Sequence, residues 1–399
     1  MTLTTYWTTN TPLNHHYTPT HNTTYTPALW AIALIALLNT LFFIDAPTND
    51  YHPVYTALSD FWQGKRIYDQ DYASPDPHYL YTPGATFLLS PLGLFGYVWS
   101  RRIFVTVSAL CLVAALGVLL RHVGVSLRSW QWPCMVIVAC VTESVRSTLS
   151  FGNINAVLLL LLSVFLVSLA KNKQWVAGYV LGALILIKPQ FAPLLILPIV
   201  KLQWKPVIPA VSIVGVFNAV GVAVVSGGWG DFVHKLVPYL GIVRPFANVS
   251  IPGMAAFFES DSAWWSVWKL VIVVAGFTAC VMLLRWRNSD VFFWLSATTA
   301  VILVSVFLLS SLGQTYYSMW VFPFIIAALY TSRRWVLNVP MALSLVLFLS
   351  PMTWGGGTLP HWASFFHATW GWSLFIVTLC GLSVLAYRFP RRVEQIGVN

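Results

Sequence analysis

Side chains that could do chemistry are sparse in this sequence and lie mostly between its apolar runs. Six of the twelve acidic residues fall within residues 45–102, together with two histidines and many tyrosines. Two cations lie elsewhere: Lys188 interrupts the apolar run LGALILIKPQFAPLLILPIV, and Arg244 belongs to a polar segment, residues 227–263. A carboxylate can accept a proton, and Lys or Arg can hold a phosphate. This combination is typical of an enzyme that acts on a phosphate-bearing substrate.

Lys188 needs a special position if its surroundings cross a membrane. An ammonium at the centre of a span costs roughly 2.5–3.5 kcal/mol. Pro189 follows it, and a proline cannot continue a regular helix, while the residue before it avoids the α conformation. We therefore predict a break at Lys188 between two short spans, residues 175–187 and 190–200, near the outer surface. A lysine that only marks the interface is the alternative.

The composition indicates what kind of scaffold positions these residues. The chain is 58% hydrophobic and 9% charged, with a mean hydropathy of +0.73. A soluble chain carries roughly a quarter charged residues. The apolar runs approach the ~20 residues that cross a bilayer, and they are continuous rather than alternating, which argues against an outer-membrane barrel. The sequence therefore predicts an all-α polytopic membrane protein.

We predict about twelve transmembrane helices from the apolar runs, at residues 28–44, 103–120, 132–149, 153–170, 175–187, 190–200, 206–226, 264–284, 291–310, 317–331, 335–350 and 368–387. Basic residues indicate the orientation. With the N-terminus inside, the cytoplasmic segments carry thirteen basic and two acidic residues, whereas the external segments carry six basic and nine acidic ones. The positive-inside rule favours this arrangement. We expect a multi-pass plasma-membrane protein with both termini in the cytoplasm.

A single transmembrane domain, residues 28–387, is predicted between two tails. Residues 1–27 are rich in Thr, Asn and His without Lys or Arg, which predicts a disordered cytoplasmic tail; residues 388–399 predict a basic one. The net charge of +10 reflects this topology and not nucleic-acid binding. The five cysteines lie in apolar segments and form no CxxC pair, so we expect no disulfide, metal or cofactor.

The polar residues concentrate on the predicted external side, in loops 45–102, 227–263 and 351–367. A transporter would instead place polar groups near the middle of its spans and often shows two matching halves. No clear internal repeat is present in the sequence. We therefore favour an enzyme that acts at the outer surface on a lipid-linked substrate, and a transporter is the alternative.

Four segments resemble a known family in their order and spacing. They are NDYHPVYTALSDFWQGKRIYD, PHYLYTPGATFLLSPLG, FGNINAVLLLLL and LILIKPQ, within about residues 30–330. The chain resembles family 87 of the polyprenyl-phosphate-sugar-dependent glycosyltransferases, membrane enzymes of the C superfamily. The resemblance implies a bundle of that superfamily, an external active site, and transfer of a sugar from a polyprenyl phosphate to a cell-envelope glycan.

Two segments favour one branch of that family. Its mannosyltransferases tend to carry a Tyr-Pro-Pro element and a late His-rich turn, where this sequence has YLYTPGA and GQTYYSMWVFP. The resemblance is therefore nearer to the α-(1→3)-arabinofuranosyltransferases, whose donor is decaprenyl-phosphoryl-arabinofuranose and whose acceptor is an arabinan. A polyprenyl-phosphate-mannose-dependent enzyme acting on a glycolipid is the alternative. The implied partners are this donor, an envelope glycan and membrane lipids, and no nucleic acid.

The implied chemistry needs one base and several anion-binding groups. Transfer passes through an oxocarbenium-like state, and the phosphate leaves without an obligatory acid. A carboxylate must take the proton of the acceptor hydroxyl, and cations must hold the charge that grows on the phosphate. A single displacement inverts the anomeric carbon, so a β-linked donor gives an α product.

The resemblance assigns the base to Asp50, at the position of the family's Asp…Tyr element, with Tyr55 five residues on. Asp45 and Asp60 are the alternatives. We predict that the donor phosphate is held by Lys188, Gln190 and Arg244. The predicted substrate-binding residues are His52, Tyr55, His78, Tyr81, Asn248, Gln314, Tyr316 and Tyr317. Asn153 and Asn155 are expected only to cap the fourth span.

Overall fold

The computed structural model describes residues 25–42, 49–74, 76–331, 333–351 and 361–389. Within these ranges every regular element is helical. The α-helices are α1 (Thr26–Phe42), α2 (Tyr51–Trp62), α3 (Pro83–Leu89), α4 (Tyr97–His122), α5 (Gln131–Cys140), α6 (Glu143–Phe151), α7 (Asn155–Ala170), α8 (Gln174–Ile187), α9 (Ile196–Val200), α10 (Val207–Val224), α11 (Gly228–Asp231), α12 (Val237–Leu240), α13 (Ile251–Phe257), α14 (Ala263–Leu283), α15 (Val291–Leu309), α16 (Phe322–Tyr330), α17 (Val339–Leu349) and α18 (His361–Arg388). The 3₁₀ helices are Ser90–Leu94, Pro189–Leu195, Leu284–Trp286, Thr315–Val321 and Arg334–Val336, and Phe232–Leu236 is a π-helical turn.

Five helices of the described chain are long and apolar enough to cross a membrane. They are α4, α10, α14 with its 3₁₀ extension, α15, and the part of α18 from Phe366 to Arg388. The pair α5 and α6 makes a sixth if it is counted as one bent span, and six further apolar segments have 10–17 residues. The chain is a helical multi-pass membrane protein. A count of about twelve spans requires the shorter apolar segments as well.

The predicted span 132–149 is not one straight helix. Its two halves, α5 and α6, meet at an angle of 72°. Thr142, at the junction, has the extended angles φ −79° and ψ 145°, which stop the helix. The sequence signal is the polar run that begins with Thr142 and Glu143, because a continuous span would leave these side chains in an apolar environment.

Three predicted boundaries also differ from the structure. Helix α1 begins at Thr26, inside the predicted tail, and α4 begins at Tyr97 rather than 103. Helix α18 begins at His361, so its first residues belong to a helix and not to the predicted outer loop 351–367. The remainder of the two predicted tails, most of that loop and the alternative base Asp45 lie outside the described residues.

The centre of the molecule is built around α7, which lies between α4 and α8 and also contacts α15. Most side chains of α7 and α15 are buried within the protein. Helices α7 and α8 are joined by a short turn, so the first residue of α7 and the last residue of α8 lie at the same end of this pair. With 16 residues and ~1.5 Å per residue, α7 is about 24 Å long. The Asn155 end of α7 is therefore about 24 Å from the turn that joins α7 to α8.

Helix α3 and the residue before it, Thr82, pack against α8 and α10, close to the end of α8 that precedes Lys188. Gly84 and Gly221 let α3 and α10 touch: a Cβ on Gly221 would lie 2.3 Å from the carbonyl carbon of Pro83. Small residues commonly allow such close helix contacts in membranes. The Oγ1 of Thr82 donates to the Leu186 carbonyl at 3.0 Å, next to Lys188. The predicted YLYTPGA and IKPQ motifs are therefore neighbours in space.

Candidate active site

Asp50 lies where the start of α2 meets the junction between α6 and α7. Helix α6 ends at Gly152, whose φ of +72° suits glycine, and a Cβ there would be 2.8 Å from the Cβ of Tyr51. This close approach brings the next residue to the carboxylate. The Nδ2 of Asn153 donates a hydrogen bond to Oδ2 of Asp50 at 3.0 Å.

Lys188 occupies the predicted break, which the structure confirms. Helix α8 ends at Ile187, Lys188 is extended (φ −132°, ψ 103°), and a 3₁₀ helix starts at Pro189. Its Nζ donates to Oδ1 of Asn155 at 2.8 Å. The same ammonium lies 5.8, 4.6 and 5.3 Å from the ring centres of three aromatic residues, Tyr316, Tyr317 and Trp320. Cations within about 6 Å of such rings are attracted by their π faces.

The environment of Asp50 makes its carboxylate a stronger base than an exposed aspartate. Burial raises the pKa of Asp50, whereas the hydrogen bond from Asn153, the charge of Lys188, a hydrogen bond from Tyr316 and the charge of Arg244 lower it. The effect of burial is the largest, so the net shift is upward. A raised pKa strengthens proton affinity, which suits a general base.

The 3₁₀ helix Thr315–Val321 forms an aromatic wall beside these charges. Tyr317 stacks on Trp320 with ring centres 4.8 Å apart and planes 13° apart. The Gln190 side chain is hydrogen-bonded to Tyr317, and Tyr316 to Asp50. Tyr81 interacts electrostatically with Asp50 and Tyr317. The structure thus brings the predicted residues Gln190, Tyr81, Tyr316 and Tyr317 to the same place as Asp50 and Lys188.

Arg244 adds a second cation from the segment after α12. Its charge acts on Asp50, Tyr316 and Tyr317, so all three lie within its electrostatic reach. Its guanidinium carbon is 5.4 Å from the centre of the Phe246 ring. The charges of Lys188 and Arg244 therefore act on the carboxylate from separate parts of the chain, and an anion bound near both would be neutralised by both.

Asn248 has a supporting role that the sequence did not indicate. Its Nδ2 donates to the carbonyls of Arg244 and Ser311, at 3.1 and 2.7 Å. Its Oδ1 accepts from the amides of Ser250 and Gly313, at 3.2 and 2.9 Å. These four bonds use its hydrogen-bonding groups, so Asn248 positions the Arg244 segment rather than offering free atoms to a substrate.

Four other predicted residues lie at the edge of the cluster. Gln314 donates to the Ala247 carbonyl at 2.8 Å and so also supports the loop. His52 and Tyr55 pack on Tyr97, with ring centres 5.9 and 5.2 Å from it. His78 packs against Tyr72 and Tyr239, and burial followed by the charge of Arg244 lowers its pKa. Substrate binding by these residues stays a prediction.

The alternative base Asp60 is separate from the cluster. One of its carboxylate oxygens lies 3.7 Å from Nζ of Lys65, whose side chain is mostly exposed. An exposed pair of this kind contributes little energy and serves as a surface contact. Asp50 is therefore the described acid that lies beside both Lys188 and Arg244.

Sequence reasoning missed Asn153 and Asn155 as members of the site. The residue that caps α7 is Ile154, without a side-chain cap, so neither asparagine has the expected capping role. Instead, Asn153 contacts the carboxylate and Asn155 contacts the ammonium. The usable signal was the pair of asparagines in FGNIN directly before an apolar run.

Gly152→Ala tests whether the close contact at Tyr51 positions the site. We expect the left-handed backbone to lower the free energy of unfolding by about 1–2 kcal/mol. We also expect activity to fall further than in a matched glycine variant away from the site, because Tyr51 and Asp50 must shift. The matched control is Gly64→Ala, since Gly64 has a similar φ of +68° but nothing within 4 Å of an added Cβ. Thermal unfolding and a transfer assay on both variants measure the two effects. Equal activity in the two variants would contradict this role of Gly152.

Comparison with known proteins identifies the family. A family profile described as glycosyltransferase family 87 matches residues 79–311. A Corynebacterium glutamicum protein named alpha-(1->3)-arabinofuranosyltransferase is 42% identical over 355 residues, which cover 87% of this chain and 84% of the relative. A Mycobacterium tuberculosis protein of the same name is 32% identical over 372 residues, or 91% and 85% of the two chains.

A more distant relative carries a different name. A polyprenol-phosphate-mannose-dependent alpha-(1-2)-phosphatidylinositol pentamannoside mannosyltransferase from Mycolicibacterium smegmatis is 25% identical over 341 residues, covering 79% of this chain and 76% of the relative. The similarity to the two arabinofuranosyltransferases is thus higher and covers more of the chain.

A carboxylate under the influence of two cations, one of them at the end of an apolar helix, supplies the groups that a membrane-bound transferase needs for a lipid-linked, phosphate-bearing substrate. The chain belongs to glycosyltransferase family 87. It is a membrane glycosyltransferase that uses a lipid-linked sugar donor and a glycan acceptor. The sequence-based identification as an enzyme of this family is confirmed, and the transporter alternative is not supported.

Proposed function

We propose that this protein transfers arabinofuranose from decaprenyl-phosphoryl-arabinofuranose to an arabinan of the cell envelope, forming an α-(1→3) branch. The observation that carries the proposal is the 42% identity, over 87% of the chain, to a protein named for that transfer. The charges of Lys188 and Arg244, which both act on Asp50, support it, because these three residues supply the base and the cations that the reaction requires.

Asp50 is the general base of the proposed reaction. Its carboxylate takes the proton of the acceptor hydroxyl as that oxygen attacks the anomeric carbon of the donor. The bond from this carbon to the phosphate oxygen breaks, and its electron pair leaves with the phosphate. Attack and departure on opposite faces invert the carbon, so a β-linked donor gives an α-linked product.

Lys188 and Arg244 stabilise the departing phosphate in this proposal. The negative charge on the phosphate grows as the bond to the sugar breaks, so fixed cations favour the transition state. Asn155 and the three rings hold the Lys188 ammonium in place before the substrate arrives. Gln190 adds neutral hydrogen-bonding capacity, and Tyr81, Tyr316 and Tyr317 present hydroxyls and ring faces to the sugars.

The proposed active site faces the outside of the cell, in a bundle of about twelve helices with both termini in the cytoplasm. The turn between α7 and α8 carries Lys171 and Lys173, whereas Asn155 and Lys188 lie at the opposite end of the two helices. If the basic turn is cytoplasmic, the Lys188 end is external. The prenyl tail of the donor would then lie in the outer leaflet with its phosphate at the depth of Lys188.

Cysteine labelling tests this orientation. In a chain whose five native cysteines are replaced by alanine, Gln63→Cys and Lys173→Cys each introduce one exposed thiol. We expect an impermeant thiol reagent to label residue 63 in intact cells and residue 173 only after permeabilisation, because charged reagents do not cross the bilayer. The converse labelling pattern would refute the external site.

A comparison of donors tests the sugar. The purified chain, reconstituted in lipid, receives decaprenyl-phosphoryl-arabinofuranose or decaprenyl-phosphoryl-mannose with one arabinan acceptor and one glycolipid acceptor. We expect transfer of arabinofuranose to the arabinan at a rate at least tenfold above any mannose transfer, since a site built for one substrate's hydroxyls rejects others strongly. Preferential mannose transfer would replace the proposal by the mannosyltransferase alternative.

A further inference from the structure

Two asparagines, Asn153 and Asn155, flank Ile154 between α6 and α7. Each of them contacts one charged group of the site: Asn153 contacts Asp50, and Asn155 contacts Lys188. Asn153 is 9% exposed and Asn155 is 0% exposed.

A charged neighbour determines how each amide is oriented. The carboxylate of Asp50 accepts from an N–H group, so the Nδ2 of Asn153 faces it. The ammonium of Lys188 can only donate, so the Oδ1 of Asn155 faces it. Turning either amide over would bring like partial charges together. The second polar atom of each side chain therefore points away from the charged partner.

Those second atoms have no partner. Oδ1 of Asn153 and Nδ2 of Asn155 are buried, and neither forms a hydrogen bond with any residue that the structure describes. A buried polar atom without a partner is unfavourable and calls for a ligand or an ordered water. The two atoms differ in kind: Asn153 offers an acceptor next to the base, and Asn155 offers a donor next to a cation.

The amino end of α7 adds to the donor character around Asn155. Helix α7 has 16 residues, and its cap, Ile154, makes no side-chain hydrogen bond to the first turn. The first backbone N–H groups of a helix have no partner within it, and the helix dipole favours an anion there. Lys188, the Nδ2 of Asn155 and this helix end thus offer positive charge and N–H groups in one place.

We infer that Asn155 and Asn153 are substrate-binding residues, Asn155 for the donor phosphate and Asn153 for the acceptor sugar. The Nδ2 of Asn155 donates to a phosphate oxygen held by Lys188. The Oδ1 of Asn153 accepts from a hydroxyl adjacent to the one that Asp50 deprotonates, while its Nδ2 keeps Asp50 in position. The inference rests on the proposed function, because it assigns atoms of that same site to the two substrates.

Asn155→Asp tests the phosphate contact with little change in size. The new carboxylate keeps an acceptor for Lys188, so a merely structural role predicts unchanged or higher thermal stability and unchanged ligand binding. A phosphate contact predicts that binding of radiolabelled decaprenyl phosphate to the full chain in lipid nanodiscs weakens by about a hundredfold, because a donor is lost and a negative charge is added. Asn155→Ser, which keeps one small donor, should weaken binding less. Wild-type affinity in Asn155→Asp would overturn the assignment.

Asn153→Ala tests the acceptor contact through two readouts. The KM for the acceptor should rise about five- to tenfold, because the neutral hydrogen bond to the acceptor is lost. Decaprenyl phosphate binding should stay unchanged, because Asn153 is not assigned a contact with the donor phosphate. The groups that otherwise act on Asp50 are Lys188, Arg244, Tyr81, Tyr316 and Tyr317. The hydrogen bond from Asn153 lowers the pKa of Asp50, so its removal should move the acid limb of kcat/KM to higher pH.

The control is Asn288→Ala, an exposed asparagine in the turn after α14, which should behave as wild type in both assays. An unchanged acceptor KM in Asn153→Ala would overturn the acceptor contact, whether or not the acid limb moves. Absence of arabinofuranosyl transfer by the wild-type chain would refute the proposed function itself. The two failures can be told apart, since the acceptor KM of Asn153→Ala is compared with that of an active wild-type enzyme.

Discussion

Asp50→Asn should lower kcat for sugar transfer by about 10²–10⁴-fold, the range that a positioned general base contributes. Asparagine has nearly the same size and keeps an oxygen that can accept from Asn153, but it has almost no proton affinity. The acceptor hydroxyl would have to attack without losing its proton to the enzyme. Donor binding should be largely kept, because Lys188 and Arg244 are unchanged and face one negative charge fewer.

The control for Asp50 is Asp261→Asn, an exposed acid in the segment before α14. This variant removes the same charge without touching the site and should keep wild-type turnover. Steady-state kinetics and decaprenyl phosphate binding on both variants separate chemistry from binding. Turnover near the wild-type value in Asp50→Asn would exclude Asp50 as the base.

Lys188→Gln should lower kcat/KM for the donor by about ten- to a hundredfold, because a hydrogen bond to a charged group contributes roughly 1.5–3 kcal/mol. The contacts of the ammonium with Asn155 and the three aromatic rings are all with neutral groups, so its charge is available to the phosphate. The loss should be the same with a short or a long acceptor, because the contact belongs to the donor phosphate.

A lysine that only marked the interface would tolerate glutamine with unchanged donor kinetics. Lys205→Gln provides the comparison, since Lys205 is exposed and lies beyond the turn after α9. We expect Lys205→Gln to retain the donor kinetics of the wild type. If Lys188→Gln also did so, the break at Pro189 would be a topological feature without a role in catalysis.

The break at Lys188 could be predicted because it is a local property. A proline in the middle of an apolar run disfavours the α conformation of the residue before it, and the structure shows α8 ending one residue before Lys188. Most apolar helices were predicted within a few residues for the same reason, since their composition alone requires a nonpolar environment. The junction between α5 and α6 was missed because the strongly apolar α5 masked the polar composition of α6 within one predicted span.

The convergence of Asp50, Asn153, Lys188 and Tyr316 could not be derived from local patterns. These residues are separated by up to hundreds of positions in the chain, and they meet only because Gly152 packs on Tyr51 and α7 packs beside α8. The resemblance to family 87 supplied Asp50 and the motifs around it. It did not show that Asn153 and Asn155 contact the charged groups, or that Asn248 is fully occupied by backbone atoms.

Product analysis tests the central claim, an inverting arabinofuranosyl transfer by this chain, most directly. The purified protein in lipid receives β-linked decaprenyl-phosphoryl-arabinofuranose, ¹³C-labelled at the anomeric carbon, and an α-linked arabinan oligosaccharide. The NMR spectrum of the product is predicted to show one new α anomeric signal and linkage to the 3-hydroxyl of the acceptor, and no such signal with Asp50→Asn. A β-linked product, or a labelled product of equal yield from Asp50→Asn, would contradict the account.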